Sequence, residues 1–296
     1  MSKPVVFYKY HALGNDYLVT EAEQFDWQQT TLVQAICHRH FGIGADGILV
    51  NHPNADGFKL RIINPDGSLA EKSGNGLRIY SRYLYDQKRV ADAPFDIQTD
   101  GGIVRSQILQ QGEIVRVDMG AAEFNSTKIP ISNSLCAEGD EVILQDLIIN
   151  NRRYQFSAVS MGNPHCVILV DQINHQQVLA DGAQIERHHY FPNRTNVQFV
   201  SIEDRHTIKV EIWERGAGYT LASGSSASAA AAICYKLGKV DSNISVQMPG
   251  GNLSINIQPN WHILMQGPVA PIGVFHLHPD FAHNLPPISM LQMEGG

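Results

Sequence analysis

The chain predicts an α+β protein made of two pseudo-symmetric domains, each a mostly antiparallel sheet wrapped around a central helix. Three observations carry that expectation. Segments with strand-like patterning outnumber helical ones, and most of the connections between them have hairpin length. The chain also repeats itself: at a spacing of 150 residues Phe41 meets Phe191, Val50 meets Val200, Lys59 meets Lys209, Ile62 meets Ile212, Tyr85 meets Tyr235 and Val90 meets Val240. One register held over about fifty residues is the mark of a duplication. Finally, each copy passes from a strand through a Gly-rich loop into an apolar helix.

Taken in order, Phe58–Ile63 and Thr207–Trp213 alternate apolar and polar residues as half-buried strands do. After each comes a Ser-Gly step, Ser73-Gly74 and Ser223-Gly224, and then a helix. Leu77, Ile79, Tyr80, Tyr83 and Leu84 give the first helix a broad apolar face, while Ala227 and Ala229 through Ile233 make the second apolar nearly all round. A helix of that kind is buried. Gly238 supplies its C-terminal stop. Further strands are expected at Ile103–Leu109, Ile114–Met119, Tyr154–Val159, Cys166–Val170, Ile244–Met248, Leu253–Ile257 and His262–Met265. The expected boundary lies near Ala121–Ser126, giving an N-terminal domain of 1–121 and a C-terminal domain of 122–267. A strand within 268–278 returns to the first domain, and 279–296 is expected to be a loose tail.

A formal charge of −7 without basic runs argues against nucleic acid and anionic membrane as partners and leaves a small-molecule ligand. No apolar run approaches the roughly 18 residues of a membrane span, and the first residues lack a secretory pattern, so a cytoplasmic protein is expected. The four cysteines, Cys37, Cys136, Cys166 and Cys234, form no CxxC pair. Neither a disulfide framework nor a structural zinc is expected, and the His38/His40 and His188/His189 spacings do not converge on a helix face. No metal and no cofactor are predicted.

The two Ser-Gly steps are the candidate chemistry. Each hydroxyl is expected at the mouth of a helix N-terminus, where unpaired amides and the helix dipole receive an anion such as a carboxylate. No G-x-S-x-G elbow is present, which sets a serine hydrolase aside.

A longer set of motifs is similar to the diaminopimelate epimerases, of the proline racemase and phenazine-biosynthesis superfamily of PLP-independent isomerases. The resemblance spans most of the chain. It rests on His11-Ala12-Leu13-Gly14-Asn15-Asp16-Tyr17, Arg39 through Gly47, Asn64-Pro65-Asp66-Gly67-Ser68, Gly74-Asn75-Gly76, Met161-Gly162-Asn163-Pro164-His165-Cys166, Asn196-Val197 and Glu214-Arg215-Gly216-Ala217-Gly218. It implies two pseudo-symmetric domains with an amino acid or related carboxylate in the cleft between them, a homodimer as assembly, and a place in lysine biosynthesis. In that family one thiolate removes the α-proton from one face and an opposing thiol returns a proton to the other. The matching positions here are Ser73 and Ser223, with His165 and Glu214 matching the groups that assist them. The resemblance further implies that Asn15, Asn64, Asn163, Asn196, Glu214 and Arg215 hold the substrate, and that the amides of Gly74-Asn75 and Gly224-Ser225 cradle its reacting carboxylate. Tyr219, Ala12, His38, Ser226 and Ser228 also depart from the family pattern.

A thiol ionises near about 8.5, whereas a serine hydroxyl is expected to ionise roughly where water does, near about 15.7. That gap corresponds to about 9–10 kcal/mol, and a helix dipole returns only about 0.3–2. Three functions are therefore expected to compete. One is an epimerase or racemase whose bases are Ser73 with His165 and Ser223 with Glu214. The second is a related isomerase that shifts a more acidic proton, and the third is a non-catalytic amino-acid-binding homologue.

Overall fold

The computed structural model describes residues 5–54, 57–132 and 134–291. It divides into two compact units, Met1–Val117 with Pro268–Gly296, and Asp118–Gly267. The division falls inside a strand that runs on without a turn, a few residues before the expected Ala121–Ser126 linker.

The first unit opens with the hairpin β1 (Val6–Ala12) and β2 (Asn15–Glu21), then α1 (Thr30–Cys37), β3 (Ile48–Asn54), β4 (Gly57–Ile63) and β5 (Leu69–Ala70). Next come α2 (Gly74–Asp86), β6 (Phe95–Thr99), β7 (Gly102–Leu109) and β8 (Ile114–Ala121). The second unit holds β9 (Gln145–Ile149), β10 (Arg152–Ser160), β11 (Pro164–Leu169), α3 (His175–Glu186), β12 (Asn196–Asp204), β13 (Thr207–Glu214) and β14 (Gly218–Thr220). It continues with α4 (Gly224–Lys236), β15 (Asn243–Met248), β16 (Gly251–Ile257) and β17 (His262–Pro268). The chain then adds β18 (Ala270–His276), which pairs antiparallel with β1, and α5 (Ile288–Leu291).

The pairings of the two units correspond one for one. β1–β2, β3–β4, β4–β5 and β6–β7 are antiparallel, as are β10–β11, β12–β13, β13–β14 and β15–β16. The parallel pairs β2–β3 and β4–β6 answer to β11–β12 and β13–β15. Each parallel pair needs a crossover, and a helix lies in each one: α1 and α2 in the first unit, α3 and α4 in the second. On β4, β5 takes the edge at Ile62–Ile63 and β6 takes it at Phe58–Lys59, and β13 is shared in the same way. The helix with the serine at its start begins in the loop that leaves β5 or β14.

Helices on both faces explain why β3 reads Ile48-Leu49-Val50 without alternation. Ile48 and Val50 join Phe7, Leu18, Val33, Ile36 and Ile63 in the core beside α1, while Leu49 lies toward Gly76 of α2. In the second unit Val197 and Phe199 of β12 join Phe156, Ile168, Val178 and Ile185 in the core beside α3. α4 packs against β10, β11, β12, β13, β15 and β16, and its Ala229–Ile233 run has no exposed surface. The helix ends as expected, with Gly238 at φ 66°; the equivalent position after α2 is Lys88, which takes φ 57° without glycine's freedom.

Part of the expected tail forms short elements among the described residues. Phe281–His283 makes a 3₁₀ turn, α5 follows, and Phe281 and Leu285 pack against the core of the first unit; residues 292–296 lie outside the described residues. Phe281 and Leu285, spaced too irregularly to form a periodic pattern, are half-buried there, while Met290 stays exposed.

Candidate active site

Ser73 and Ser223 are the N-caps of α2 and α4, and their backbones nearly coincide: φ −141°, ψ 119° and φ −143°, ψ 128°. Ser73 Oγ accepts the N–H of Gly76 at 3.0 Å. Ser223 makes no cap bond, and its Oγ lies 3.4 Å from Ser225 Oγ. The first amides of each helix, Gly74-Asn75 and Gly224-Ser225, lack intrahelical acceptors and sit at the positive end of the dipole. A carboxylate is the complement of each turn.

In the first unit Asn75 and Asn15 touch directly. Arg78 Nη2 donates to Asn75 Oδ1 at 2.5 Å, Asn75 Nδ2 donates to Asn15 Oδ1 at 3.0 Å, and Asn15 Nδ2 donates to Asp46 Oδ2 at 2.8 Å. Because Arg78 can only donate and Asp46 accepts, the two amides between them have one direction. Arg78 is fully buried, its Nε and Nη1 have no hydrogen-bond partner among the described residues, and burial pushes its guanidinium down to about 9. Beside this chain, Arg39 bridges Asp16 and Asp46. Burial opposes the charge on Asp16, but hydrogen bonds from Arg39 and Lys9 outweigh it and hold the carboxyl below its usual range. Asn64 lies in the β4–β5 turn, where its Nδ2 donates to Ser68 Oγ at 2.9 Å.

In the second unit His165 is fully buried on β11. Its Nε2 is 2.9 Å from Asn163 Oδ1 and its Nδ1 is 3.1 Å from Gln198 Nε2, so with these amide orientations Nε2 carries the proton and Nδ1 accepts. Burial drives its pKa down to about 3, with the Gln198 bond opposing and Arg215 adding to the shift. Gln198 Nε2 also donates to Ser226 Oγ at 3.0 Å, and Gln198 Oε1 is buried without a partner among the described residues. Asn196 is spent on the backbone: its Nδ2 donates to Pro164 O at 2.9 Å and its Oδ1 accepts Arg215 N–H at 3.0 Å. Arg215 is exposed, with Nη1 3.4 Å from Asn193 O. Glu214 ends β13 at the head of the turn that carries Arg215, and its carbonyl accepts Ala217 N–H.

The structure thus joins Asn15 to Asn75, Asn163 to His165, and Asn196 to Arg215, while Asn64 stays within its own turn. Sequence reasoning missed three supporting residues. Glu186, buried at the end of α3, accepts Trp213 Nε1–H at 2.9 Å and Gly216 N–H at 3.1 Å, and so fixes the turn that bears Glu214 and Arg215. Arg78 and Gln198 carried a signal, since each is a polar residue inside an apolar run, Leu77–Tyr80 and Val197–Val200. Among the described residues no group of three or more His, Cys, Asp or Glu is placed to hold a metal, and no helix is long and apolar enough to cross a membrane.

Comparison with known proteins follows the same outline. A relative named diaminopimelate epimerase 2 from Nostoc sp. is 52% identical over 271 residues, covering 90% of this chain and 93% of the relative. A diaminopimelate epimerase from Moorella thermoacetica is 36% identical over 273 residues, covering 90% and 96%. The crystal structure of a probable proline racemase from Agrobacterium radiobacter superposes with a TM-score of 0.68 at 16% identity, covering 93% of each chain, which shows the shared fold. The diaminopimelate epimerase family model matches residues 7–125 and 157–272, and with that extent and those identities the chain belongs to the diaminopimelate epimerase family.

Proposed function

We propose that the chain is a cofactor-independent epimerase or racemase of an amino acid, moving a proton at the α-carbon through Ser73 on one face and Ser223 on the other. One observation carries this reading: the same extended serine, Ser-Gly step and helix N-terminus occur twice with the same backbone geometry. An α-carboxylate held by such amides is stabilised as negative charge spreads onto it when the Cα–H bond breaks. One group takes that proton and the opposite group supplies another, so proton count and charge balance over the turnover. In this reading Asn15, Asn64, Asn75 and Asn163 offer their amides to the ligand, Asn196 holds the backbone of Arg215, Glu214 receives an ammonium group, and Arg215 receives a carboxylate.

The barrier argument sets the rate. Replacing a thiol by a hydroxyl costs about 9–10 kcal/mol in forming the base, far above what a helix N-terminus returns. His165 does not close that gap, because both ring nitrogens are engaged and its basicity is low. Its role in this reading is to aim Asn163, with Glu214 left to assist Ser223. Turnover of diaminopimelate is therefore slow, and the engagement of both His165 ring nitrogens favours a second reading. In that reading the same site shifts a more acidic proton of an amino- or carboxylic-acid metabolite, or only binds one.

The test is α-proton exchange followed by NMR in deuterated water with diaminopimelate and other amino acids. Exchange with inversion supports the epimerase; binding without exchange removes both catalytic readings. Installing Ser73→Cys and Ser223→Cys together then asks whether the remaining groups still fit diaminopimelate. A gain of epimerisation of several orders of magnitude is expected from the pKa difference, and no gain would mean that the anchors serve a different ligand.

A further inference from the structure

Two helix caps with the same backbone behave differently. Ser73 accepts the N–H three residues on, and Ser223 does not, although their φ and ψ differ by no more than 9°. The third residue itself differs: Gly76 in α2, Ser226 in α4. A Cβ built on Gly76 would stand 3.2 Å from Ser73 Cβ, 3.3 Å from Ser73 Oγ and 3.2 Å from Leu49 Cδ2, closer than ordinary van der Waals contact. Many capped helices carry a side chain at this position, so the crowding belongs to this particular turn. In α4 that side chain is present and fully buried, and Gln198 Nε2 holds its Oγ at 3.0 Å.

We infer that Ser226 is a positioning residue that keeps the Ser223 hydroxyl out of the helix cap and turns it toward a bound ligand. Gly76, its counterpart, leaves room for α2 to hold the Ser73 hydroxyl. The two serines are then unequal partners. A hydroxyl oxygen that accepts an amide hydrogen is eased toward its charged form, while an uncapped one keeps its proton and its freedom of rotation. This inference rests on the reading that Ser223 exchanges a proton with substrate, and it deepens that reading.

The test uses the full-length ¹⁵N-labelled chain, amide hydrogen exchange at residues 76 and 226, and crystal structures of the variants. Ser226→Gly is expected to let Ser223 Oγ accept the amide of residue 226 and to slow its exchange about fivefold. Ser226→Ala keeps the Cβ and leaves Ser223 uncapped, and Gly76→Ala releases Ser73 with a matching acceleration at residue 76. Capping of Ser223 in Ser226→Ala, or its absence in Ser226→Gly, would overturn the inference. So would capping in Ser225→Ala, since the Ser225 hydroxyl would then be the cause. In the α-proton exchange assay Ser226→Gly is expected to lose on the order of tenfold in kcat relative to Ser226→Ala, at similar KM. If the wild-type chain exchanges no α-proton at all, the epimerase reading falls, and the amide exchange still decides what Ser226 does.

Discussion

His165 shows how far one buried ring is determined by its neighbours. Its pKa of about 3 lies below the usual value of about 6.5, so the unfolded chain binds a proton that the folded chain refuses. The sign follows: the stabilisation is complete above about 6.5 and is lost progressively as pH falls toward 3. Ring ¹⁵N shifts should therefore report a neutral Nε2–H tautomer at pH 7 that does not titrate between 7 and 5. A ring that titrates near 6.5 would rule this arrangement out. The same residue marks a limit of reading from sequence. Met161-Gly162-Asn163-Pro164-His165-Cys166 located the histidine, but its chemistry is set by Gln198, which is 33 residues away and bonded to it across the parallel β11–β12 pair.

At the level of elements, α3 was the hardest to foresee. It reads His-Gln-Gln-Val-Leu-Ala-Asp-Gly-Ala-Gln-Ile-Glu, and the residues it turns inward include Asp181, Gly182 and Glu186. Asp181 is buried because Tyr154, Asn150 and Arg152 donate to it, and Gly182 is needed because a Cβ there would meet Trp213 Cβ at 2.7 Å. Polar residues with dedicated partners erase the apolar stripe from which helices are recognised. The alternating strands β4 and β13, by contrast, were legible. Glu186 links this element to the site. Glu186→Ala removes the acceptor of Trp213 Nε1–H and Gly216 N–H and should cost about 3 kcal/mol in urea unfolding, with Glu186→Gln costing less. A loss below about 1 kcal/mol in the alanine variant would mean that the turn holds itself.

For the molecule as a whole, the duplication was visible because the Ser-Gly steps and the strands before them kept a spacing of 150, whereas β1, β2 and β9 carry few matched residues and had to be found in three dimensions. The two units differ in continuity: Asp118–Gly267 is continuous in sequence and the other unit is not. Residues 118–267 expressed alone should melt cooperatively by circular dichroism, while 1–117 alone should not, because β1 would lack β18 along one edge. Cooperative folding of both fragments would show that β18 is dispensable. The late return of β18 also has a consequence for biosynthesis. A ribosome makes the partner of Val6–His11 only after some 260 further residues have been translated. At roughly 5–20 residues per second, β1 waits on the order of ten seconds or more with an edge open, so the piece begun first is the piece finished last.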